Sequence, residues 1–249
     1  MLEPLVVFVL GLVIGSFCNV VIYRLPHRQS IISPGSHCRS CGTPIRPWDN
    51  IPLLSYLLLR GSCRVCKESI SLRYPSVELA SGVLYVLLWF KFGFSIPFAI
   101  YAALTSMLLA VALIDYDHKI IPNTITLPGI VIGLGLSLWA LPIRPLASLL
   151  GLLVGGTLFY LIALVSKGGM GGGDIKLIAM IGAFLGWQGA LFTVFSGALL
   201  GSLVGVTLML LGKKGRKDKV PFGPFLSCGA IFSMLSGDDL IHWYLDLFS

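Results

Sequence analysis

Long apolar stretches recur along the whole of this 249-residue chain, and no other feature constrains its fold as tightly. A helix needs roughly 18 to 20 apolar residues to cross about 30 Å of hydrocarbon, and runs close to that length stand at about 5–23, 76–90, 96–114, 124–142, 146–166, 174–187, 189–211 and 221–236. An apolar share of 56% and a mean hydropathy of +0.90 place the chain in a bilayer rather than in water. The expected fold is therefore an all-α polytopic membrane protein with about eight transmembrane helices. The sixth is short, and only Gly186-Trp187-Gln188-Gly189 separates it from the seventh, so seven is the rival count. The first stretch follows Glu3 instead of a basic run and shows no small-residue cleavage site before Arg24, so it reads as a retained span rather than a signal peptide.

Charge then orients the spans. If the segment after the first span is cytoplasmic, the loops on that side hold eight Lys or Arg in 24–75, Lys119, Lys167 and five more in 213–219, whereas the other side holds Lys91 and Arg144. Cytoplasmic loops of membrane proteins carry such an excess, so the amino terminus is expected outside and no nucleic-acid partner is needed to explain the net charge of +7. Three parts follow: a first helix in 1–23, a cytoplasmic loop domain in 24–75 and a multi-helix membrane domain in 76–249.

The loop holds two Cys-x-x-Cys pairs, Cys38/Cys41 and Cys63/Cys66, on the reducing side of the membrane in this orientation. Their spacing is close to the four-thiolate zinc pattern, and Gly42 and Lys67 sit where a zinc knuckle turns tightly. A loop of this size builds little core by itself, so one structural zinc on these four cysteines is expected, against a reduced metal-free loop or a disulfide pair. Cys18 and Cys228 lie in apolar spans and read as packing residues.

Of the eleven carboxylates, Glu78, Asp115, Asp117 and Asp174 lie at or inside span ends. A carboxylate at membrane depth is costly enough to be a functional candidate. Asp115 closes the third span and Asp174 opens the sixth, so both are expected at the cytoplasmic face. Two acids brought to one depth by separate helices can hold one proton between them. One then serves as general base on a water while the other polarises a scissile carbonyl. The glycines before Asp174, Gly171-Gly172-Gly173, permit close approach of an extended peptide; no Gly-Lys-Ser or Gly-Lys-Thr follows, so they do not form a phosphate loop. Asp117 reads as a solvated loop charge. Glu78 either pairs with a basic residue or lines the site, and Lys176 either steers an acidic substrate group or snorkels to the interface.

These features occur in a specific order: Gly15-Ser16-Phe17-Cys18-Asn19-Val20-Val21-Ile22-Tyr23-Arg24-Leu25-Pro26, the two cysteine pairs with Asn50-Ile51-Pro52-Leu53-Leu54-Ser55-Tyr56, Arg73-Tyr74-Pro75 with Glu78-Leu79, Asp115 six residues before Ile121-Pro122-Asn123, Gly171-Gly172-Gly173-Asp174-Ile175-Lys176, and Pro221-Phe222-Gly223-Pro224-Phe225-Leu226. Over nearly its full length the chain resembles the bacterial type IV prepilin peptidases, which are GxGD-type aspartyl proteases. It departs from that pattern in Cys38-Arg39-Ser40-Cys41, where a proline often follows the first cysteine, and at Cys18, where leucine is common. The resemblance implies catalysis by Asp115 and Asp174 at the cytoplasmic face of the bacterial inner membrane. It implies leader cleavage after a glycine of a prepilin or pseudopilin, and then methylation of the new terminal amine by S-adenosylmethionine. The cysteine-bearing loop marks the members expected to carry the transferase. No soluble dinucleotide-type glycine fingerprint is present, so the methyl-donor pocket is expected in the basic loop, the first span or both, with no residues assigned. A peptidase without methyl transfer, and a non-enzymatic transporter or scaffold, are the alternatives.

Overall fold

The computed structural model describes residues 2–166, 170–212, 220–237, 239–240, 243 and 246. Lys167, Gly168, Gly169 and the basic run 213–219, on which part of the expected orientation rests, lie outside the described residues. The described residues form the helices α1 (Leu2–Arg24), the single-turn α2 (Leu54–Leu58), α3 (Arg73–Phe92), α4 (Ile96–His118), α5 (Asn123–Leu136), α6 (Pro145–Val165), α7 (Gly172–Leu210) and α8 (Gly223–Phe232). Among the described residues there is no strand beyond two isolated bridges in the cysteine loop. The all-α expectation holds because hydrocarbon offers backbone groups no partner outside their own helix.

A helix stands at every predicted span, and the helices differ in length. Five helices, α1, α3, α4, α6 and α7, are long and apolar enough to cross a membrane. The 14-residue α5 and the stretch Gly223–Gly237 are shorter. At 1.5 Å per residue α5 reaches only about 21 Å, less than the hydrocarbon core. Its predicted extension to 142 turns away after Leu136, ahead of Pro142, which cannot continue a helix.

The sixth and seventh predicted spans are two arms of the 39-residue α7, divided by one residue, Gly186, at φ 73° and ψ −179°. Such a conformation is open to glycine and strained for any residue with a Cβ. We expect Gly186→Ala to lower stability by about 1–3 kcal/mol in a thermal melt. Gly156→Ala, whose added Cβ would make only an ordinary 3.6 Å contact with Ala179, should be neutral or mildly stabilising.

The chain divides into two compact units. The first comprises residues 1–98 and 102–110, and the second residues 99–101 and 111–249. In the first, α1 lies against α3 through Gly11 and Gly15, where a Cβ would fall 2.7 Å from the Gly82 Cα and 2.8 Å from the Glu78 Cα. Small residues of this kind let helix backbones approach in the absence of a hydrophobic drive between them. In the second, Gly151 of α6 and Gly182 of α7 meet backbone to backbone, and the Ser148 hydroxyl donates to the Ala183 carbonyl at 2.5 Å. These contacts seat the amino-terminal arm of α7 and with it Asp174.

Candidate active site

Asp115 lies in the last turn of α4 and Asp174 in the first turn of α7. Both line one cavity of about 300 Å³, together with Lys119, Ile120, Ile121, Asn123 and Gly171 to Gly173. The sequence runs that bracket the two acids thus become the walls of a single chamber within the second unit. Pro122 is extended at φ −66° and ψ 125°, so it ends the connection from α4 and starts α5 at Asn123. Ile121 packs on Gly173, where a Cβ would come within 2.9 Å of the Ile121 Cβ.

The two carboxyls have unequal surroundings. Asp115 is buried at 6% exposure, and its Oδ2 accepts the Gly223 N–H at 2.9 Å. Asp174 is half-buried, and its Oδ1 is buried without a hydrogen-bond partner. A buried carboxylate oxygen with no donor is costly to leave so, and it is suited to meeting a proton, a water or a substrate group. Lys176 donates to Asn123 Oδ1 at 2.9 Å, which ties the first turn of α7 to the start of α5. Asp117 is exposed and is not part of the cavity wall.

The first unit carries the cysteines. The sulfurs of Cys38, Cys41, Cys63 and Cys66 all lie within 4.8 Å of one another. Cys38 and Cys66 are 3.7 Å apart, close to the sulfur–sulfur edge of about 3.8 Å that tetrahedral zinc–thiolate bonds of about 2.3 Å require. Two matching knuckles build the cluster. The Cys38 and Cys63 N–H groups donate to the carbonyls of Thr43 and Glu68, and the Gly42 and Lys67 N–H groups donate back to the carbonyls of Cys38 and Cys63. Gly42 and Lys67 take φ 71° and 61°, which is the tight turn expected of them. Hydrogen bonding to Thr43 lowers the Cys41 thiol below its ordinary value. Arg64 in the second knuckle forms a two-pronged pair with Asp49 at 2.6 and 2.7 Å, and holds that carboxyl below the usual range.

Glu78 is buried in the first unit and has a backbone partner. Its Oε2 accepts the N–H of Leu53 at 2.8 Å and so anchors the Asn50–Tyr56 segment to α3. The buried Arg24 likewise turns inward and donates to the carbonyls of Ser30 and Gly35 at 3.0 and 3.3 Å, while Arg39 stacks over the Tyr23 ring at 3.5 Å. Part of the basic charge of the loop therefore holds the loop itself. Glu78→Ala would strand the Leu53 N–H at a cost of about 1–3 kcal/mol. We expect faster limited proteolysis within residues 50–72 for that variant, and a wild-type rate for Glu78→Gln, which keeps an acceptor oxygen.

The type IV leader peptidase family matches residues 102–206, and the bacterial peptidase A24 N-terminal domain matches residues 9–92. The prepilin leader peptidase/N-methyltransferase of Pseudomonas putida is 39% identical over 93% of this chain and 90% of its own length. The chain belongs to the type IV leader peptidase family. The family members of the same name from Pseudomonas aeruginosa and Bacillus subtilis are 38% and 35% identical, covering 95% and 97% of this chain and 91% and 98% of their own. No solved structure matches. The first family segment contains most of α1, the cysteine knuckles and α3, and the second contains Asp115 and Asp174. The five long apolar helices make this family member a multi-pass membrane protein.

Gly223 is the site residue that sequence reasoning missed. The run Pro221 to Leu226 stands out in the sequence only as part of a resemblance, and its contact with Asp115 crosses 108 positions of chain.

Proposed function

We propose that the chain removes the leader of type IV prepilins or pseudopilins and then N-methylates the new amino terminus. One observation carries the peptidase half: two carboxyls, delivered by separate apolar helices, face one cavity. In the cleavage step one acid takes a proton from water as the oxygen bonds to the scissile carbonyl carbon, while the other donates a hydrogen bond to the carbonyl oxygen. The carbon–nitrogen bond then breaks and the leaving amine gains the proton. The leader's glycine becomes a free carboxylate. Gly171 to Gly173 leave room along the cavity for an extended peptide.

The proposed arrangement places Asp115, Asp174 and the cysteine loop at the cytoplasmic face of the bacterial inner membrane, with the amino terminus outside. The loop in 24–75 is assigned to the methyl-transfer half, with the first helix in 1–23 and the peptidase helices in 76–249 on either side. Cys38, Cys41, Cys63 and Cys66 would hold one zinc, which would supply folding energy to the loop rather than reaction chemistry, since four thiolates leave it no open position. S-adenosylmethionine, when bound, supplies the methyl group that the new terminal amine accepts as it gives up a proton.

Co-expression with a prepilin, followed by intact-mass spectrometry of the product, tests both halves. The expected product lacks the leader and carries the mass of one added methyl group. A product without the leader and without the methyl group would leave a peptidase alone, and an unprocessed prepilin would refute the proposal.

A further inference from the structure

The first turn of α8 leaves one backbone donor for use outside the helix. Residues at a helix start have N–H groups with no partner in the preceding turn. Here Pro224 has none, and the Phe225 and Leu226 N–H groups both donate to the Phe222 carbonyl, at 3.0 and 3.1 Å. The Gly223 N–H remains, and it is the one that meets Asp115 Oδ2 at 2.9 Å.

Two further observations show that the contact is built rather than incidental. A Cβ at position 223 would stand 2.7 Å from Asp115 Oδ2, 3.1 Å from its Cγ and 3.2 Å from its Cβ, so only a glycine admits the carboxylate this close. The donor is also held still. Leu226 is fully buried, the Phe222 ring lies between Phe159 and Phe225 at 6.1 and 6.3 Å, and Gly197 of α7 leaves just enough space for the Phe225 carbonyl.

We infer that Gly223 is a positioning residue for leader cleavage: its N–H and its missing side chain together hold the Asp115 carboxylate in one orientation facing Asp174. Fixed backbone donors cost no reorganisation at the moment of reaction, and displacement of a reacting group by about 1 Å can cost about a hundredfold in rate. The inference rests on the proposed catalytic role of Asp115.

The test uses the full chain in lipid nanodiscs and has two arms. In the kinetic arm, Gly223→Ala should lower kcat for prepilin cleavage by about a hundredfold and leave KM within about twofold, because the substrate still binds while the acid is displaced. In the second arm, melting temperatures are compared in a cycle with Asp115→Ala. Gly223→Ala should lower the midpoint in the native background and lower it far less once the carboxylate is gone. If Gly223→Ala alone does not fold, adding Asp115→Ala should restore folding. A wild-type kcat, a loss in KM alone, an equal melting loss in both backgrounds or a failure to restore folding would each overturn the inference. Failure of the underlying catalytic assignment is read separately, as full cleavage by Asp115→Asn with the melting cycle unchanged.

Discussion

Asp115→Asn and Asp174→Asn should each slow leader cleavage by at least about a thousandfold, within the range that positioned acid–base groups supply. The substitution keeps shape and most hydrogen bonding but removes the ability to take and return a proton. Asn at 115 can still accept the Gly223 N–H that Asp115 Oδ2 accepts at 2.9 Å, so its melting temperature should stay near that of the native chain. The double variant should be no slower than either single one, because groups that act as a unit are lost together. Methylation of a peptide supplied already cleaved should persist in all three variants, since the cysteine loop belongs to the other compact unit. The measurement is a single-turnover cleavage assay with methylation followed in parallel.

The second large effect concerns the cysteines. Four sulfurs within 4.8 Å of one another need a cation to be thiolates together, and structural zinc in such sites contributes about 10–16 kcal/mol of folding free energy. With the proposed zinc on this cluster and the proposed methyl-transfer role of the loop, each of Cys38→Ser, Cys41→Ser, Cys63→Ser and Cys66→Ser should reduce zinc from one per chain to near none, expose the remaining thiols to alkylation, and abolish methyl transfer. Leader cleavage should fall much less. The pH dependence has a definite sign. A bound thiolate has its pKa depressed below the free value of about 8.5, so zinc stabilisation is complete above that value and is lost as pH falls through the bound range. Acidification should release zinc and loosen the loop, and alkalinisation should not. Elemental analysis and thiol titration across pH check this directly.

Much of the architecture is legible from composition and spacing because the bilayer leaves a chain few choices. The positions of α1, α3, α4 and α6 follow from apolar length, and the two knuckles follow from cysteine spacing with Gly42 and Lys67 behind them. Asp115 and Asp174 stand out because carboxylates at span ends need a reason. Other features were hidden for physical reasons. The break between the sixth and seventh predicted spans is present, but it is one non-helical residue, Gly186 at φ 73°, rather than a loop, and glycine in a sequence does not say how short such a break is. The sequence leaves Glu78 either pairing with a cation or lining the site, whereas the partner it has is the Leu53 N–H, which no side-chain pattern reveals. The Gly223 contact with Asp115 is a tertiary event across 108 residues and leaves no local periodicity.

Cross-linking measures most directly whether Asp115 and Asp174 face each other across one cavity. Asp115→Cys and Asp174→Cys are combined in one chain, purified in nanodiscs and treated with a short bifunctional thiol reagent, and the linked peptides are mapped by mass spectrometry. The arrangement predicts an efficient link between positions 115 and 174 that a bound non-cleavable prepilin peptide suppresses. Absence of that link, with both new thiols still reactive toward a monofunctional reagent, would contradict it.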